Sequence, residues 1–540
     1  MARGIIVTIP VFLALFAVAP PGGVSQESSV FRANTRLVQI NVVVRDKSGP
    51  VADLTKSDFV ITDHGKARTI GVFSVNREVS APGAVALPAN TFSSRPLSGC
   101  QASASVTMIL LDRLNTLIGS SAPGEQAPMF DADLALANAK QHLLTFIEGM
   151  GPTDRVAIYS LGTSLRVLSD FTSDRTQLKA ILQAYRPTSI TTREVAEPEA
   201  AYVCQPHDVI GCPVDHPLDD DRRVLANLSS ASRAETTMNS LMAMAAHVAG
   251  TPGRKNLVWL TSDLTLPAEA VGRAVSRSDI AVYPVDTRGL LPVSVGRSTG
   301  FATSQPMMPG TAATMGLSGS APSQPIGIAT MQELADETGG RAYFNTNDLA
   351  GAVRTAIDDR TVTYTLGFYV DLSSLDGKFH ELKVRVKRHG LDVRTQRGYF
   401  ALKEVADDSS PLLFAVPVTS PLESSAIHLL TRVDRVAEGL SVSGSIDLRD
   451  LQLEQSGDFS KGAFEIYFVQ QDAAGKTIER GHQNMQVALD RPHYEEYLKT
   501  GIFFRQMLHP KDGIKTLRVI AVDRAHSTAG SVIISLLEVK

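Results

Sequence analysis

Three short segments, 106–112 (VTMILLD), 256–260 (NLVWL) and 280–285 (IAVYPV), carry almost no polar alternation. A strand with one face in water alternates. A strand that is apolar throughout is buried on both faces, as in parallel sheets whose crossover helices cover both sides. Helical spacing fills the intervals. Leu136, Leu143, Phe146, Ile147 and Met150 recur on one face, and so do Met238, Leu241, Met242, Ala245 and Val248. Further strands are expected at 155–161 (RVAIYSL), 165–171 (LRVLSDF) and 341–344, and helices at 178–185, 268–278, 331–338 and 349–358. The spacing therefore predicts an α/β unit over 103–360, with a Rossmann-like, doubly wound, mainly parallel sheet. It carries an inserted loop at 187–230 and a Pro-, Gly-, Ser-, Thr- and Met-rich loop at 302–327. Ligands of such sheets sit beyond the carboxyl ends of the strands. The positions to inspect are 112–116, 262–263 and 286–288.

The flanks read as β structure. Val38, Ile40, Val42 and Val44 share a face, and 59–61 and 70–73 surround an Asp63-His64-Gly65 turn. This segment, 30–79, is too thin to stand alone. It is expected to pack with strands in 361–402 as one β-sandwich, with the α/β unit inserted between them. Residues 80–104 read as linker. Lys383, Arg385 and Lys387 share a strand face, read as solvated rather than anion-binding. Strands at 439–448, 463–471, 514–522 and 531–539 predict a C-terminal β-sandwich over 405–540.

Composition narrows the class. Of 540 residues 43% are apolar and 20% charged, which excludes general disorder. A net charge of −4 excludes a nucleic-acid binder working by bulk basic charge. The start, Met1-Ala2-Arg3, precedes an apolar run at 5–19 that is shorter than a membrane span. Residues 1–25 read as a signal peptide, the alternative being an uncleaved anchor. The mature chain is expected outside the cytoplasm, periplasmic, secreted or at the cell surface, with no membrane span. Cys204 and Cys212 are expected to form a disulfide, leaving Cys100 over. The run Cys204, His207, Cys212, His216 has zinc-ligand types but no known module spacing, so metal there is the lesser reading.

The motifs LTKSDFVITDHG (54–65), VTMILLDRLNT (106–116), DRVAIYSLGTSLRVLSDFTSD (154–174), GRKNLVWLTSD (253–263) and DGKFHELKVRVKRHGLDVRTQRGYFA (376–401) occur in this order. Together they resemble the von Willebrand factor type A (VWFA) domain. More narrowly they are similar to the VWFA-related exported proteins of Acidobacteria and other bacteria, over roughly 35–402. The resemblance implies a divalent cation, usually Mg²⁺, at the top of the sheet. A D-x-S-x-S motif, a Thr and an Asp on three loops would hold it, with an acidic group of a protein partner completing the shell. Here the first motif reads Asp112-Arg113-Leu114-Asn115-Thr116. Asp112 matches, Leu114 cannot ligate, Thr116 stands for the second serine, and Asn115 offers an amide oxygen. The second-loop Thr is Thr236 or Thr237. On the third loop Ser262 occupies the Asp position, and Asp263 compensates only after a shift of one residue. This is a degenerate metal-ion-dependent adhesion site (MIDAS). The competing reading is that Asp112 and Thr116 simply hydrogen-bond loop backbone.

No nucleophile elbow, zincin, Walker or dinucleotide motif occurs in chemically meaningful context; His380-Glu381 has no second histidine four residues on. The expectation is a non-enzymatic, exported interaction or adhesion module. The alternative is a scaffold of a cell-envelope assembly with a vestigial, metal-free site.

Overall fold

A computed structural model describes residues 35–77, 87–94, 106–115, 132–186, 217–289 (apart from Pro252, Asp263, Thr265 and Arg277), 327–359, 361–401 and 417–540. The protein is mixed α/β with several sheets.

The central sheet has the strand order Ile280–Asp286, Lys255–Thr261, Val106–Asp112, Val156–Leu161, Leu165–Thr172. The first three pairings are parallel and the last is antiparallel. The unbroken apolar runs are explained by two separate cores. Met108, Leu110, Tyr159, Trp259 and Val282 point to one face, under helices Pro217–Val248, Ala268–Ser276 and Ile328–Thr338. Ile109, Leu111, Ile158, Val258 and Tyr283 point to the other, under Ala132–Glu148, Arg175–Ala184 and Leu349–Asp358. Successive strand residues alternate between faces, so a strand roofed on both sides must be apolar at every position.

The sequences on either side of this unit meet. Thr35–Asp46 pairs with Val362–Asp371 over eight positions and with Asp392–Thr395 over four. Phe59–Asp63 pairs with Phe379–Val386. The two resulting sheets share one core, including Ile40, Val42, Phe59, Ile61, Tyr364 and Phe368. Lys383, Arg385 and Lys387 are exposed on this unit, as a solvated strand face requires. The C-terminal segment forms two further sheets around a core that includes Val442, Ile466, Phe468, Val519 and Ile534.

Several expectations are corrected. The inserted loop does not extend to 230, because helix Pro217–Val248 begins at 217. Pro at the first helical position followed by Asp219-Asp220-Asp221 is a helix start in sequence terms, since a missing N–H costs nothing there and acidic groups favour the positive end. Residues 341–344 form no strand; Tyr343 makes a single parallel bridge to Val285. The supposed linker contains Thr91–Ser93, which joins the edge of a C-terminal sheet against Leu429–Val436. Three residues are too few to show a period. Strands Leu429–Val436, Thr477–Leu489 and Ile502–Leu508 and helix Arg491–Thr500 were not expected. That helix packs on the C-terminal core only through the partly buried Tyr494, Tyr497 and Leu498, a stripe one turn long. The signal segment 1–25, Cys100, the Cys204–Cys212 pairing with His207 and His216, residues 187–216 and the loop 302–327 lie outside the described residues. Among the described residues no helix is long and apolar enough to cross a membrane.

Two joints set the α/β unit in place. Asp359, 1% exposed and just past helix Leu349–Asp358, accepts from Arg45 (3.1 Å) and Arg394 (2.5 Å) of the N-terminal sheets. It also accepts from the Tyr283 hydroxyl of the central sheet at 2.9 Å. On the other side the Ser425 hydroxyl donates to the His247 carbonyl at 2.6 Å, and the Gly250 N–H donates to the Ser425 hydroxyl at 2.9 Å. A side chain at position 250 would run into the Ser425 carbonyl, which explains the glycine.

Candidate functional site

Val106–Asp112 is the middle strand of the central sheet, and its last residue, Asp112, ends at the carboxyl edge. The carboxylate is 1% exposed. The chain turns immediately after it, and the turn brings Asn115 back over the strand end. The Asn115 backbone N–H donates to Asp112 Oδ1 at 2.9 Å, and the Asn115 side-chain Nδ2 donates to Oδ2 at 2.8 Å. From the adjacent strand Lys255–Thr261, the Trp259 indole Nε1 donates to the same Oδ2 at 2.7 Å. The second hydrogen of Asn115 Nδ2 goes to Thr237 Oγ1 at 2.9 Å, on the long helix. Thr237 in turn donates to the Arg233 carbonyl at 2.8 Å. Thr261 donates to the Asn115 carbonyl at 3.4 Å, which anchors the turn.

Two of the three loops implied by the sequence therefore do converge. Asp112 from the first motif and Thr237 from the second helix face one another at the carboxyl edge of the sheet, one residue apart through Asn115. The α/β unit thus has the strand-edge approach that the VWFA resemblance implies. No family model matches the chain, and no curated protein matches it. Solved structures align remotely. A von Willebrand factor type A protein from Catenulispora acidiphila aligns at 10% identity over 81% of this chain and 76% of its own, with a TM-score of 0.27. An aerotolerance-related membrane protein from Bacteroides fragilis, carrying multiple mutations to serine, aligns at 18% identity over 47% of this chain and 98% of its own, with a TM-score of 0.25. Proximal thread matrix protein 1 from the mussel byssus, with a zinc-occupied MIDAS motif, aligns at 9% identity over 48% of this chain and 47% of its own, with a TM-score of 0.22. At such scores the alignments carry no weight.

The donor set of this sheet edge does not suit a hard cation. A cation such as Mg²⁺ needs several oxygen lone pairs aimed at one point. Between Asp112 and Thr237 the structure places the NH₂ of Asn115, which gives one hydrogen to each oxygen. The sequence reading offered Asn115 as an oxygen ligand; the structure uses its nitrogen. Leu114 is 4% exposed and turned into the core, as its side chain requires. Thr236 is half-buried one position around the helix, and its carbonyl accepts from the Ser240 hydroxyl. Thr116 and Asp263 lie outside the described residues. The other acidic group at this edge, Asp286, is buried and held by a bidentate pair with Arg288 at 2.9 to 3.1 Å. Sequence reasoning missed Trp259 as a polar participant. Its indole N–H was a signal in principle, because a buried tryptophan normally finds an acceptor.

Burial pushes the Asp112 carboxyl up from 3.8 to about 6, against the hydrogen bonds from Asn115, Trp259 and Thr261 that pull it down. The sign follows directly. A carboxyl raised in the folded state adds stability on protonation. That contribution is complete below the unfolded value of 3.8 and is lost as pH rises through about 6. Trp259 is the only tryptophan in the chain and is fully buried. Its emission is therefore expected to titrate with a midpoint near pH 6, and the step should vanish in Asp112→Asn. A fluorescence titration that stays flat between about pH 5 and about pH 8 would contradict this coupling.

Proposed function

We propose that this chain is an exported, non-enzymatic interaction module of the cell envelope. It is built on a doubly wound VWFA domain framed by two β-sandwich units, and its adhesion-site edge is closed by hydrogen bonds instead of by a cation. The observation that carries this reading is the Asn115 amide donating to Asp112 and Thr237 at once. A protonated bridge between two oxygens does the positioning that a cation would do, and it does so without net charge. The edge keeps its shape in the absence of metal, so a partner would recognise the loops around it and not a metal-held carboxylate.

Two features support an interaction role at this end of the domain. The two described carboxylates at the edge, Asp112 and Asp286, are both engaged, which leaves neither poised as a general base. The long helix continues for 20 residues on the N-terminal side of Thr237, about 30 Å at 1.5 Å per residue. It gives a partner an extended element beside the same edge.

Calorimetry tests the reading. Titrating Mg²⁺ and then Mn²⁺ into the full-length mature protein is expected to give no heat that differs between the wild type and Asp112→Asn. Heat present in the wild type and absent in that variant would sink the cation-free reading. It would mean that Asn115 swings out to admit metal, as in the ordinary adhesion-site mechanism.

A further inference from the structure

The N-terminal pair of sheets carries a second cluster, unconnected with the VWFA edge. Strand Phe59–Asp63 turns through His64 and Gly65 into Lys66–Arg68. Both turn residues have positive φ, 45° at His64 and 78° at Gly65, the geometry of a tight two-residue hairpin. The His64 N–H donates to the Glu381 carbonyl at 3.1 Å, which pins the turn beside strand Phe379–Val386. The His64 and His380 rings meet edge to face with centroids 4.7 Å apart. Under them lies Asp63, 1% exposed. Its Oδ2 accepts from Arg68 at 2.7 and 3.0 Å, but its buried Oδ1 has no hydrogen-bond partner. His380 Nδ1 stands 3.7 Å from that Oδ1.

A buried carboxylate oxygen with no donor costs free energy, and structures rarely leave one so without a reason. Here the carboxylate lies close to two imidazoles, with His380 Nδ1 at 3.7 Å and a His64 ring nitrogen within 4.8 Å. We propose that Asp63, His64 and His380 bind a divalent transition metal of the Zn²⁺ type. The ligand atoms of the three residues lie within 4.8 Å of one another. Around a tetrahedral zinc with bonds of about 2.0–2.1 Å, ligand atoms are about 3.3 Å apart, so a modest contraction suffices. The exposed His64 side chain supplies it by rotation. Two nitrogens and one carboxylate oxygen select a borderline-soft ion over Mg²⁺ or Ca²⁺. The far nitrogen of His380, Nε2, is 3.1 Å from Asp376 Oδ1. A carboxylate behind a histidine orients the ring and presents Nδ1 to the metal. The Tyr399 hydroxyl, 3.4 Å from both Asp63 Oδ2 and His380 Nδ1, borders the remaining position, where water would complete the shell. Arg68 opposes the incoming charge, but two carboxylates, Asp63 and Asp376, outweigh one guanidinium, and Arg68 occupies the other oxygen of Asp63.

The test uses untagged full-length mature protein, Zn²⁺ by calorimetry and Co²⁺ by absorption. One equivalent of Zn²⁺ is expected to bind, and Co²⁺ is expected to give visible bands of low coordination number. His64→Asn keeps a residue that tolerates positive φ, so the fold should survive by circular dichroism while the one-site binding is lost. Asp376→Asn is expected to weaken binding roughly ten- to a hundredfold while leaving the stoichiometry unchanged. Zinc that binds the wild type and His64→Asn equally lies elsewhere, for example in the 204–216 run, and overturns the assignment. So does a wild type that binds none.

Discussion

Replacing Asp112 with alanine is expected to destabilise the protein by about 3–5 kcal/mol, and by the same amount with or without Mg²⁺. The cause is the set of donors left behind. The backbone N–H of Asn115, its side-chain NH₂ and the Trp259 indole N–H all point at this carboxylate from buried positions. Each orphaned donor costs about 1–3 kcal/mol, and removal of a buried charge that several donors share falls at the upper end of mutational effects. Relief of the burial that raises the carboxyl to about 6 offsets part of this, which is why the full sum of the donors is not expected. Asp112→Asn keeps one acceptor oxygen and removes the charge, so its loss should be smaller. Denaturant unfolding, followed by Trp259 emission, measures both. A loss below about 1 kcal/mol would mean that the donors find water, and a loss that appears only with Mg²⁺ present would restore the metal reading.

The second large effect is expected at Asp359. Its carboxylate is the common acceptor of Arg45 and Arg394 from the N-terminal sheets and of Tyr283 from the central sheet. Arg45 and Arg394 are only 21% and 14% exposed. Asp359→Ala removes the buried anion shared by two largely buried guanidinium groups, Arg394 keeping only the exposed Asp392 at 3.2 Å, for an expected loss of about 3–5 kcal/mol. Because the three donors come from two units, the loss should fall on the joint first. Limited proteolysis should open the 358–362 connection before either unit unfolds, and the unfolding curve should broaden or split. A variant that keeps a single sharp transition within about 1 kcal/mol of wild type would show that the sheet pairing alone carries the joint.

Much of the central unit was legible because burial on both faces leaves a one-dimensional trace. The runs at 106–112, 256–260 and 280–285 are apolar throughout because the two cores sit directly above and below them. The long helix Pro217–Val248 was legible only in its second half, where Leu241, Met244 and Val248 pack on the sheet. Its first half, 217–230, shows no such apolar spacing in the sequence and reads as loop there. The short strand Thr91–Ser93 left no trace, because three residues at a sheet edge need no pattern. The candidate edge was half legible. Asp112 could be named, since strand ends and the VWFA resemblance point to it, and the threonine only as Thr236 or Thr237. What Asn115 does there depends on which end of its amide faces the carboxylate, and that is set by Trp259 and Thr237 around it. The histidine pair was out of reach for a different reason. His64 lies in a hairpin turn near the start of the chain, and His380 lies on a strand returning after the whole central unit.

The sequence by itself determined the layered α/β character of the middle of the chain, the β character of its flanks, and the identity of the acidic residue at the central strand end. Those properties come from local periodicity and strand-end position, which are written along the chain. Only the tertiary structure decided that Asn115 bridges Asp112 and Thr237 with hydrogens, that Trp259 seals the carboxylate, and that Asp63, His64 and His380 share one point. Each of these depends on the direction of a donor or a lone pair between residues distant in sequence, and direction in space has no signature in residue order.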